Sequence, residues 1–273
     1  MSTYGDWMHT FRPDIPSTAR LYDYYLGGKD NFPVDRELAE RVLAVVPGVR
    51  EAARANRAFL QRAVRYLVAE AGIRQIVDVG TGLPTVGNVH EVAQQVEPGC
   101  RVVYVDHDPV VMAHALDLLH GTTNTAFIKH DLREPGEILA DGELREAIDF
   151  GRPVAILLVA ILHFISDEER PRSIVEQLLE PFPAGSFLAI SHATLDGRPE
   201  LGSHTDLYDK ATSRFYPRSR DELERLLGGL DAVEPGLVWI PQWHPSPGTD
   251  TDLEPEKSLG YAAVARKPQE CRT

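Results

Sequence analysis

Gln75-Ile-Val-Asp-Val-Gly-Thr-Gly82 is the first part of the chain with the pattern of a buried strand, and it continues directly into a turn with two glycines. After this segment, short apolar stretches alternate with stretches of helical periodicity. Such alternation is typical of a parallel sheet covered by helices on both faces. We therefore predict a doubly wound α/β domain with a Rossmann-like sheet over residues 73–273.

This sheet is predicted to have seven strands. The last two would pair as an antiparallel hairpin at one end of the sheet, joined by an acidic, proline-containing loop over 245–258. A long connection over 195–218 shows no steady period, which is typical of lids and binding loops. The predicted strands cover residues 75–79, 101–105, 126–128, 154–159, 186–191, 232–240 and 261–266. Helices are predicted over 88–96, 109–119, 167–179 and 219–227.

Three further helices are predicted before the first strand. The first follows Ser17, a suitable N-cap residue, and ends at Gly27-Gly28. The second follows Pro33, and the third covers about residues 51–70 and ends at Gly72. We therefore predict that residues 1–72 form a helical extension that acts as a lid on the sheet domain.

The net charge restricts the partners of the protein. The chain has 28 Lys and Arg residues against 41 Asp and Glu residues, so its formal net charge is -13. A strongly negative protein repels phosphate backbones unless it has a local basic patch, and the sequence contains no such patch. We therefore expect no nucleic-acid partner, and a small molecule is the favoured substrate.

The sequence also indicates where the protein acts. Its two cysteines, Cys100 and Cys271, do not indicate a disulfide framework. The N-terminus has neither a basic start nor an apolar run, so it does not resemble a signal peptide. The most apolar stretch, residues 153–162, is much shorter than the ~20 residues that span a bilayer. We expect a cytoplasmic protein without a membrane partner.

Acidic residues follow the first three predicted strands on the side where parallel sheets bind ligands. Gly80 and Gly82, on either side of Thr81, allow the backbone to approach a ligand closely, and Asp78 places a carboxylate beside them. Asp106 ends the second strand, near the offset of about 20 residues at which an acid binds ribose hydroxyls. After the third strand, Asp131 can accept from an adenine amino group and Leu132 can cover the ring.

Three details favour S-adenosylmethionine over a dinucleotide. Thr85 replaces the third glycine of the dinucleotide fingerprint, which lets a helix close on a pyrophosphate. The Asp78 carboxylate would repel a phosphate, whereas it can bind the ammonium group of the methionine end. The predicted terminal hairpin is also a feature of class I methyltransferase sheets.

The chain resembles the bacterial S-adenosyl methyltransferase family, a set of functionally uncharacterised proteins within the class I methyltransferases. This resemblance implies the class I fold and S-adenosylmethionine as the cofactor, with Asp78, Gly80 and Gly82 at the methionine end, Asp106 on the ribose and Asp131 by the adenine. It implies no particular substrate. The resemblance rests on Ser17-Thr-Ala-Arg-Leu-Tyr-Asp-Tyr-Tyr-Leu-Gly-Gly-Lys-Asp-Asn-Phe32, Asn56-Arg-Ala-Phe-Leu60, the segment 78–85, Asn88-Val-His-Glu91, Val105-Asp-His-Asp-Pro109 and Leu162-His-Phe164.

Further site residues are predicted from their positions. The segment from Ala160 to Phe164 follows the fourth strand, and it lacks the Asn-Pro-Pro or Asp-Pro-Pro signature of enzymes that methylate planar amino groups. We therefore expect methylation of an oxygen atom, with His163 as the base or a substrate contact. Tyr25 is a candidate for the lid and the catalytic site. Arg57 is a candidate for the cofactor carboxylate, and His107, next to Asp106, is a candidate cofactor contact.

Two alternatives to a small-molecule methyltransferase stay open at this stage. A degenerate methyltransferase could keep the cofactor pocket and act as a sensor or an interaction module. An NAD-linked oxidoreductase is disfavoured by Thr85. No metal site is expected, because His90-Glu91 lacks a second histidine at position 94. The sequence does not define the methyl acceptor or the oligomeric state.

Overall fold

A computed structural model describes residues 12–85, 87–245 and 254–269. The strands are β1 (Gln75–Val79), β2 (Arg101–Asp106), β3 (Thr125–Lys129), β4 (Ala155–Val159), β5 (Phe187–Ala193), β6 (Asp231–Ala232), β7 (Val238–Trp239) and β8 (Gly260–Arg266). The helices are α1 (Thr18–Leu26), α2 (Pro33–Val45), α3 (Val49–Ala69), α4 (Val89–Val96), α5 (Pro109–Leu118), α6 (Pro135–Ala140), α7 (Gly142–Ala147), α8 (Pro171–Leu179) and α9 (Arg220–Leu226). Short 3₁₀ segments cover Leu162–Phe164, Pro199–Lys210, Ile240–Gln242 and Pro255–Ser258.

The strands form one sheet in the order β3-β2-β1-β4-β5-β8-β6, and β7 also pairs with β8. The first five strands are parallel, and β8 runs antiparallel to β5, β6 and β7. The predicted doubly wound fold with an antiparallel end is therefore confirmed. Because the first five strands are parallel, their carboxyl ends meet along one edge of the sheet.

The predicted strand over 232–240 is divided in two. A turn in which the Gly236 N–H donates to the Val233 carbonyl separates β6 from β7, and Gly236 has a φ of 83°. Both short strands pair with β8, which brings the number of strands in the described ranges to eight instead of the predicted seven. A continuous apolar pattern does not reveal such a turn, because residues on both sides of it still pack on the sheet.

Each face of the sheet buries its own core. On one face, α3 contributes Phe59, Ala63 and Leu67, which pack against the strands. On the other face, α8 contributes Ile174 and Leu178. The spacing of these residues is that of one helix stripe, as expected for helices packed on a sheet.

A third, smaller core joins α1, α2 and the start of α3. It is closed by a buried ion pair, in which Arg20 Nε lies 2.7 Å from Asp35 Oδ2. Asp35 also accepts from the Ser17 N–H at 2.9 Å, while the Ser17 hydroxyl donates to Asp108 beyond β2 at 2.7 Å. These contacts hold the N-terminal helices against the carboxyl edge of the sheet.

The sequence did not indicate α6, α7 and the 3₁₀ segment over 199–210, because each is too short or too irregular to show a period. The helix predicted over 167–179 begins only at Pro171. Within the described ranges, no helix is long and apolar enough to cross a membrane.

Candidate functional site

A cavity of about 250 Å³ lies at the carboxyl edge of the sheet. The ends of β1, β2, β4 and β5 form its floor, and α1, α2, α3 and the 3₁₀ segment over 199–210 form its walls. All twelve predicted site residues line this cavity or one smaller cavity beside it. Tyr25, Arg57, Asp78, Gly80, Thr81, Gly82, Asp106, His107, Ala160 and His163 line the main cavity. Asp131 and Leu132 line a neighbouring one.

The glycine turn after β1 requires glycine at both of its positions. Gly80 has a φ of 72° and Gly82 a φ of 66°, in the left-handed region that residues with a Cβ rarely adopt. A Cβ on Gly80 would lie 2.4 Å from Ile161 Cγ1. The turn is held by the Gly80 N–H, which donates to the Val105 carbonyl at 2.8 Å. The backbone therefore passes close to the cavity without a side chain in between.

Asp78 places a buried carboxylate at the base of this turn. Burial raises the pKa of Asp78 to about 6, although the Thr81 hydroxyl and the nearby positive charge of Arg57 lower it in part. The Thr81 hydroxyl donates to Asp78 Oδ2 at 3.0 Å. A buried acid of this kind is stabilised when a cationic group binds beside it.

Arg57 reaches the same end of the cavity from α3. Its Nη2 lies 3.3 Å from the Gly87 carbonyl and 3.4 Å from Asn88 Oδ1. Its Nε is buried and has no hydrogen-bond partner in the described ranges, and the same is true of Thr85 Oγ1. Buried polar atoms are usually paired. A guanidinium and a carboxylate with unused hydrogen-bonding capacity therefore fit the carboxylate and ammonium groups of a bound amino acid.

Asp106 ends β2 and is held by backbone donors. Its Oδ2 accepts from the Gly82 N–H and its Oδ1 from the Asp108 N–H, both at 2.9 Å. Burial raises the pKa of Asp106, and these two N–H groups lower it in part. The adjacent His107 ring is about half exposed, with Nδ1 3.8 Å from Asp106 Oδ1. The fixed carboxylate still has free lone pairs for a diol.

Asp131 lies beyond β3 together with an arginine that sequence reasoning missed. Arg133 Nη1 lies 3.2 Å from both Asp131 carboxylate oxygens, and its Nε lies 2.5 Å from Glu169 Oε1. The small cavity that contains Asp131 and Leu132 also contains Asp106 and His107. These residues thus line one cavity, but Arg133 uses part of the hydrogen-bonding capacity of Asp131.

The turn after β4 is strained and is held by a chain of polar side chains. Ala160 has a φ of 56°, and its N–H donates to Ser191 Oγ at 2.9 Å. Ser191 donates to Asn56 Oδ1 at 2.5 Å, and Asn56 Nδ2 donates to the Tyr22 hydroxyl at 2.8 Å. All four residues line the cavity. The chain connects α1 and α3 to the strands beneath them.

His163 lies in the 3₁₀ turn that follows, and it is buried. Burial, together with His192 and the positive charge of Arg218, lowers the pKa of His163 well below 6.5. Its Nδ1 accepts from the Ala193 N–H at 3.4 Å, so the neutral ring carries its proton on Nε2. Among the described residues, Nε2 has no hydrogen-bond partner. The ring can therefore donate a hydrogen bond into the cavity.

His192 lacks this freedom. Its Nε2 accepts from Arg218 at 3.0 Å, and its Nδ1–H donates to the Ala193 carbonyl at 2.8 Å. Burial is the main reason that its pKa falls to about 4. Since both ring nitrogens are occupied and the ring is neutral, His192 is a structural neighbour of His163 that presents no free ring nitrogen to the cavity.

Arg218 organises this region, although no local sequence pattern indicates it. Its guanidinium donates to the Leu162 and Ile165 carbonyls at 3.0 and 2.8 Å, to His192, and to Asp167 at 2.7 Å. It lies before α9, far along the chain from the turn that it fixes. Only the tertiary fold reveals that it holds the loop with His163 in place.

Tyr25 lies in the wall of the cavity with its hydroxyl 3.3 Å from that of Tyr208. Burial raises the pKa of Tyr25 far above its ordinary value, so its hydroxyl stays protonated. Away from the cavity, His90 Nδ1 lies 2.7 Å from the Tyr104 hydroxyl. No cluster of residues that could hold a metal ion occurs in the part of the chain that the structure describes.

The sequence matches a family model described as S-adenosyl methyltransferase over residues 8–268. No curated protein sequence matches it significantly.

Solved structures resemble the whole chain. A DUF574 family protein from Streptomyces avermitilis MA-4680 is 43% identical with a TM-score of 0.90, over 94% of this chain and 100% of that one. A candidate methyltransferase from Thermobifida fusca YX is 42% identical with a TM-score of 0.88, over 94% of this chain and 97% of that one. The N-methyltransferase NodS from Bradyrhizobium japonicum WM9, in complex with S-adenosyl-L-homocysteine, is 13% identical with a TM-score of 0.50, over 92% of this chain and 100% of that one. The last likeness shows the fold alone.

Proposed function

Because this chain belongs to the S-adenosyl methyltransferase family and is an S-adenosylmethionine-dependent methyltransferase, we propose that it methylates an oxygen atom of a small molecule. One observation carries this proposal: a single cavity runs from the buried carboxylate of Asp78 to the ring of His163 and on between the N-terminal helices. A concave cavity at the carboxyl edge, lined mostly by apolar side chains with a few polar groups, is typical of small-molecule sites.

The residues that we propose for the cofactor fit its chemical groups. Asp78 would bind the ammonium group and Arg57 the carboxylate, which would give the buried Arg57 Nε a partner. The backbone from Gly80 to Gly82 and the turn at Ala160 would lie along the methionine chain. When bound, the cofactor supplies an electrophilic methyl group.

The remaining cofactor contacts are proposed at the ends of β2 and β3. Asp106, with His107 beside it, would bind the ribose hydroxyls, because its carboxylate is held in place by two backbone N–H groups. Asp131 and Leu132 would lie along the adenine. Arg133 already donates to the Asp131 carboxylate. Leu132 and the backbone beside it would therefore contribute more to the contact with the adenine than this carboxylate does.

We propose that His163 orients the acceptor and does not act as the main base. Its depressed pKa makes it a weak base, and its Nε2–H points to a donor role toward an acceptor oxygen. Methyl transfer needs chiefly close positioning and exclusion of water, which the buried turn provides. Tyr25, which stays protonated beside Tyr208, would contribute to the wall above the acceptor and not to proton transfer.

Oxygen is favoured over nitrogen as the methyl acceptor. The turn Ala160-Ile-Leu-His-Phe164 lacks the residues that hold a planar amino group. No carboxylate lies beside His163 among the cavity residues to bind a cationic amine. A hydroxyl acceptor would instead pair with the Nε2–H of His163.

The first experiment measures cofactor binding. Calorimetry with S-adenosyl-L-homocysteine should show binding to the wild-type protein, and Arg57→Gln should weaken it by about tenfold or more, since hydrogen bonds to charged groups contribute about 1.5–3 kcal/mol. Arg54→Gln, an exposed change on the same helix, is the matched control and should leave the affinity unchanged. Equal affinities of all three proteins would contradict the assignment of Arg57.

The second experiment identifies the acceptor atom. The protein is incubated with S-adenosylmethionine and paired hydroxyl and amino compounds of equal size, and the products are identified by mass spectrometry. Methyl ethers are the expected products. Methylamines as the only products would refute oxygen transfer, and tight cofactor binding without any product would favour a sensor or interaction module.

Two further assignments complete the proposal. The helices before residue 72 would act as a lid, because α1 and α2 form the cavity wall and are held to the sheet edge by Ser17 and Asp108. We place the protein in the cytoplasm, where thiols stay reduced, since Cys100 is a buried free thiol. Cys271 lies outside the described residues.

A further inference from the structure

The charged side chains of the cavity all lie at its cofactor end. Arg57, Asp78, Asp106 and Asp108 are the only Asp, Glu, Lys or Arg residues among the described residues that line it. They follow β1 and β2 or face them from α3. His163 and His192, nearer the far end, are neutral because burial lowers both pKa values. Apart from the exposed His204, the far end of the cavity therefore has no charged side chain to offer a charged acceptor.

One wall of the far end is made of aromatic rings. Tyr208 and Phe215 are stacked, with ring centroids 5.1 Å apart and an interplanar angle of 24°. Phe215 also meets His163 edge to face at 5.3 Å, and His163 meets Phe164 at 4.4 Å. Phe164, Tyr208 and Phe215 are only half-buried, and all three line the cavity. Their uncovered faces would be covered by a bound molecule.

The wall that adjoins it is aliphatic, and Tyr208 packs against the same core of N-terminal helices. Val42, Val46 and Val49 line it from α2 and the start of α3, next to Leu21 of α1. The Tyr25 hydroxyl lies 3.3 Å from the Tyr208 hydroxyl, where the two walls meet. A slot lined by aromatic rings and aliphatic side chains favours a flat apolar ligand, because an aromatic ligand can stack on the rings while the aliphatic side chains desolvate its edge.

We infer that the methyl acceptor is a neutral, planar aromatic molecule with a hydroxyl group, bound against the aromatic wall of Phe164, Tyr208 and Phe215 and beside the valines of the N-terminal helices. This inference rests on the proposed function and names its substrate class. An anionic acceptor is disfavoured because its charge would be buried without a partner. A saturated acceptor of the same size would lose the stacking on Phe215.

The test uses a neutral aromatic alcohol, an anionic aromatic molecule and a saturated alcohol as probes, so that charge and aromaticity are varied separately. Binding of 2-naphthol, 2-naphthoate and the saturated alcohol decahydro-2-naphthol is measured by calorimetry on the full-length protein loaded with S-adenosyl-L-homocysteine. We expect 2-naphthol to bind at least tenfold more tightly than 2-naphthoate and about threefold or more tightly than the saturated alcohol. Equal binding of the three probes, or a preference for 2-naphthoate, would overturn the inference.

Variants locate the binding to this slot. Phe215→Leu should weaken 2-naphthol binding by about fivefold, consistent with the ~1 kcal/mol of an aromatic pair. Phe150→Leu, which disrupts a stacked pair with Phe182 elsewhere, is the matched control and should leave probe binding unchanged. Thr205→Lys adds a cation at a half-exposed cavity position, and it should reduce the preference for 2-naphthol over 2-naphthoate by at least fivefold.

The outcomes separate this inference from the function on which it rests. Failure of S-adenosyl-L-homocysteine to bind would refute the proposed cofactor site. Normal binding of S-adenosyl-L-homocysteine, with no binding of 2-naphthol or no effect of Phe215→Leu and Thr205→Lys, would refute the aromatic acceptor alone.

Discussion

Replacing Asp78 by asparagine should stabilise the ligand-free protein and weaken its binding of the cofactor. Burial raises the pKa of Asp78 from 3.8 to about 6. The folded protein thus binds this proton more tightly than the unfolded chain, so the contribution of Asp78 to stability falls as the pH rises from about 4 to about 6. Asparagine has nearly the same shape and no charge, and its side-chain oxygen can still accept from the Thr81 hydroxyl.

The size of the effect follows from the two pKa values. Their difference is about 2 pKa units, and each unit corresponds to about 1.36 kcal/mol, so at pH 7.5 the charged carboxylate costs about 3 kcal/mol of unfolding free energy. At pH 5, where most folded molecules are already protonated, the cost is about 1.6 kcal/mol. For a domain of this size, Asp78→Asn should raise the unfolding temperature at pH 7.5 by roughly 5–10 °C, and by about half of that at pH 5.

Thermal unfolding of the ligand-free protein at the two pH values measures this gain directly. Calorimetry at pH 7.5 should then show at least a 30-fold weaker binding of S-adenosyl-L-homocysteine to Asp78→Asn, since loss of a buried charge pair costs about 2 kcal/mol or more. Wild-type affinity should also fall as the pH drops below about 6, where the carboxylate becomes protonated. Asp117→Asn, an exposed change on α5, is the control and should alter neither quantity.

Two results would refute this reasoning. One is a lower unfolding temperature of Asp78→Asn at pH 7.5, which would mean that the carboxylate stabilises the ligand-free fold. The other is a stability gain that is equal at pH 5 and pH 7.5, because a gain without pH dependence cannot come from the ionisation of Asp78.

Three other substitutions test the framework around the site. Gly80→Ala should lower the unfolding free energy by about 2 kcal/mol or more in urea titrations, because its Cβ would clash with Ile161 and the positive φ would be strained. Adding Ile161→Ala to the same chain should restore only the part of this loss that is due to the clash, because the positive φ remains. Arg218→Lys should lower the turnover number about tenfold with unchanged affinity for S-adenosyl-L-homocysteine; equal losses of both would contradict a positioning role. Arg20→Ala should cost about 3–5 kcal/mol in urea unfolding, because it leaves Asp35 buried without its cation, and a cost below 1 kcal/mol would be inconsistent with that ion pair.

The sequence predicts the fold and the cofactor edge well because both depend on local patterns. The alternation of strands and helices after residue 75 determines a parallel sheet, and a parallel sheet places Asp78 and Asp106 at one edge. The role of Gly80 and Gly82 can be predicted for the same reason, since two glycines directly after a buried strand indicate a tight turn. These predictions need no knowledge of distant contacts.

Contacts between distant segments account for what the sequence did not reveal. Arg218 gives no local signal, because its partners lie in the turn after β4 and at the end of β5. Arg133 likewise appears as an ordinary surface charge until the fold pairs it with Asp131. The turn at Gly236 is hidden within an apolar pattern that continues on both sides of it.

The sequence by itself determined the doubly wound sheet, the glycine turn after β1 and the acids at the strand ends, because strand periodicity and glycine dihedral freedom act over a few residues. Only the tertiary structure decided the protonation states of the site residues and the shape of the acceptor site. Burial sets the pKa of Asp78 and keeps His163 neutral. The aromatic wall exists only because Phe164 comes together with Tyr208 and Phe215, which lie in a separate segment of the chain. Desolvation and packing depend on everything that surrounds a residue, and no short stretch of sequence contains that information.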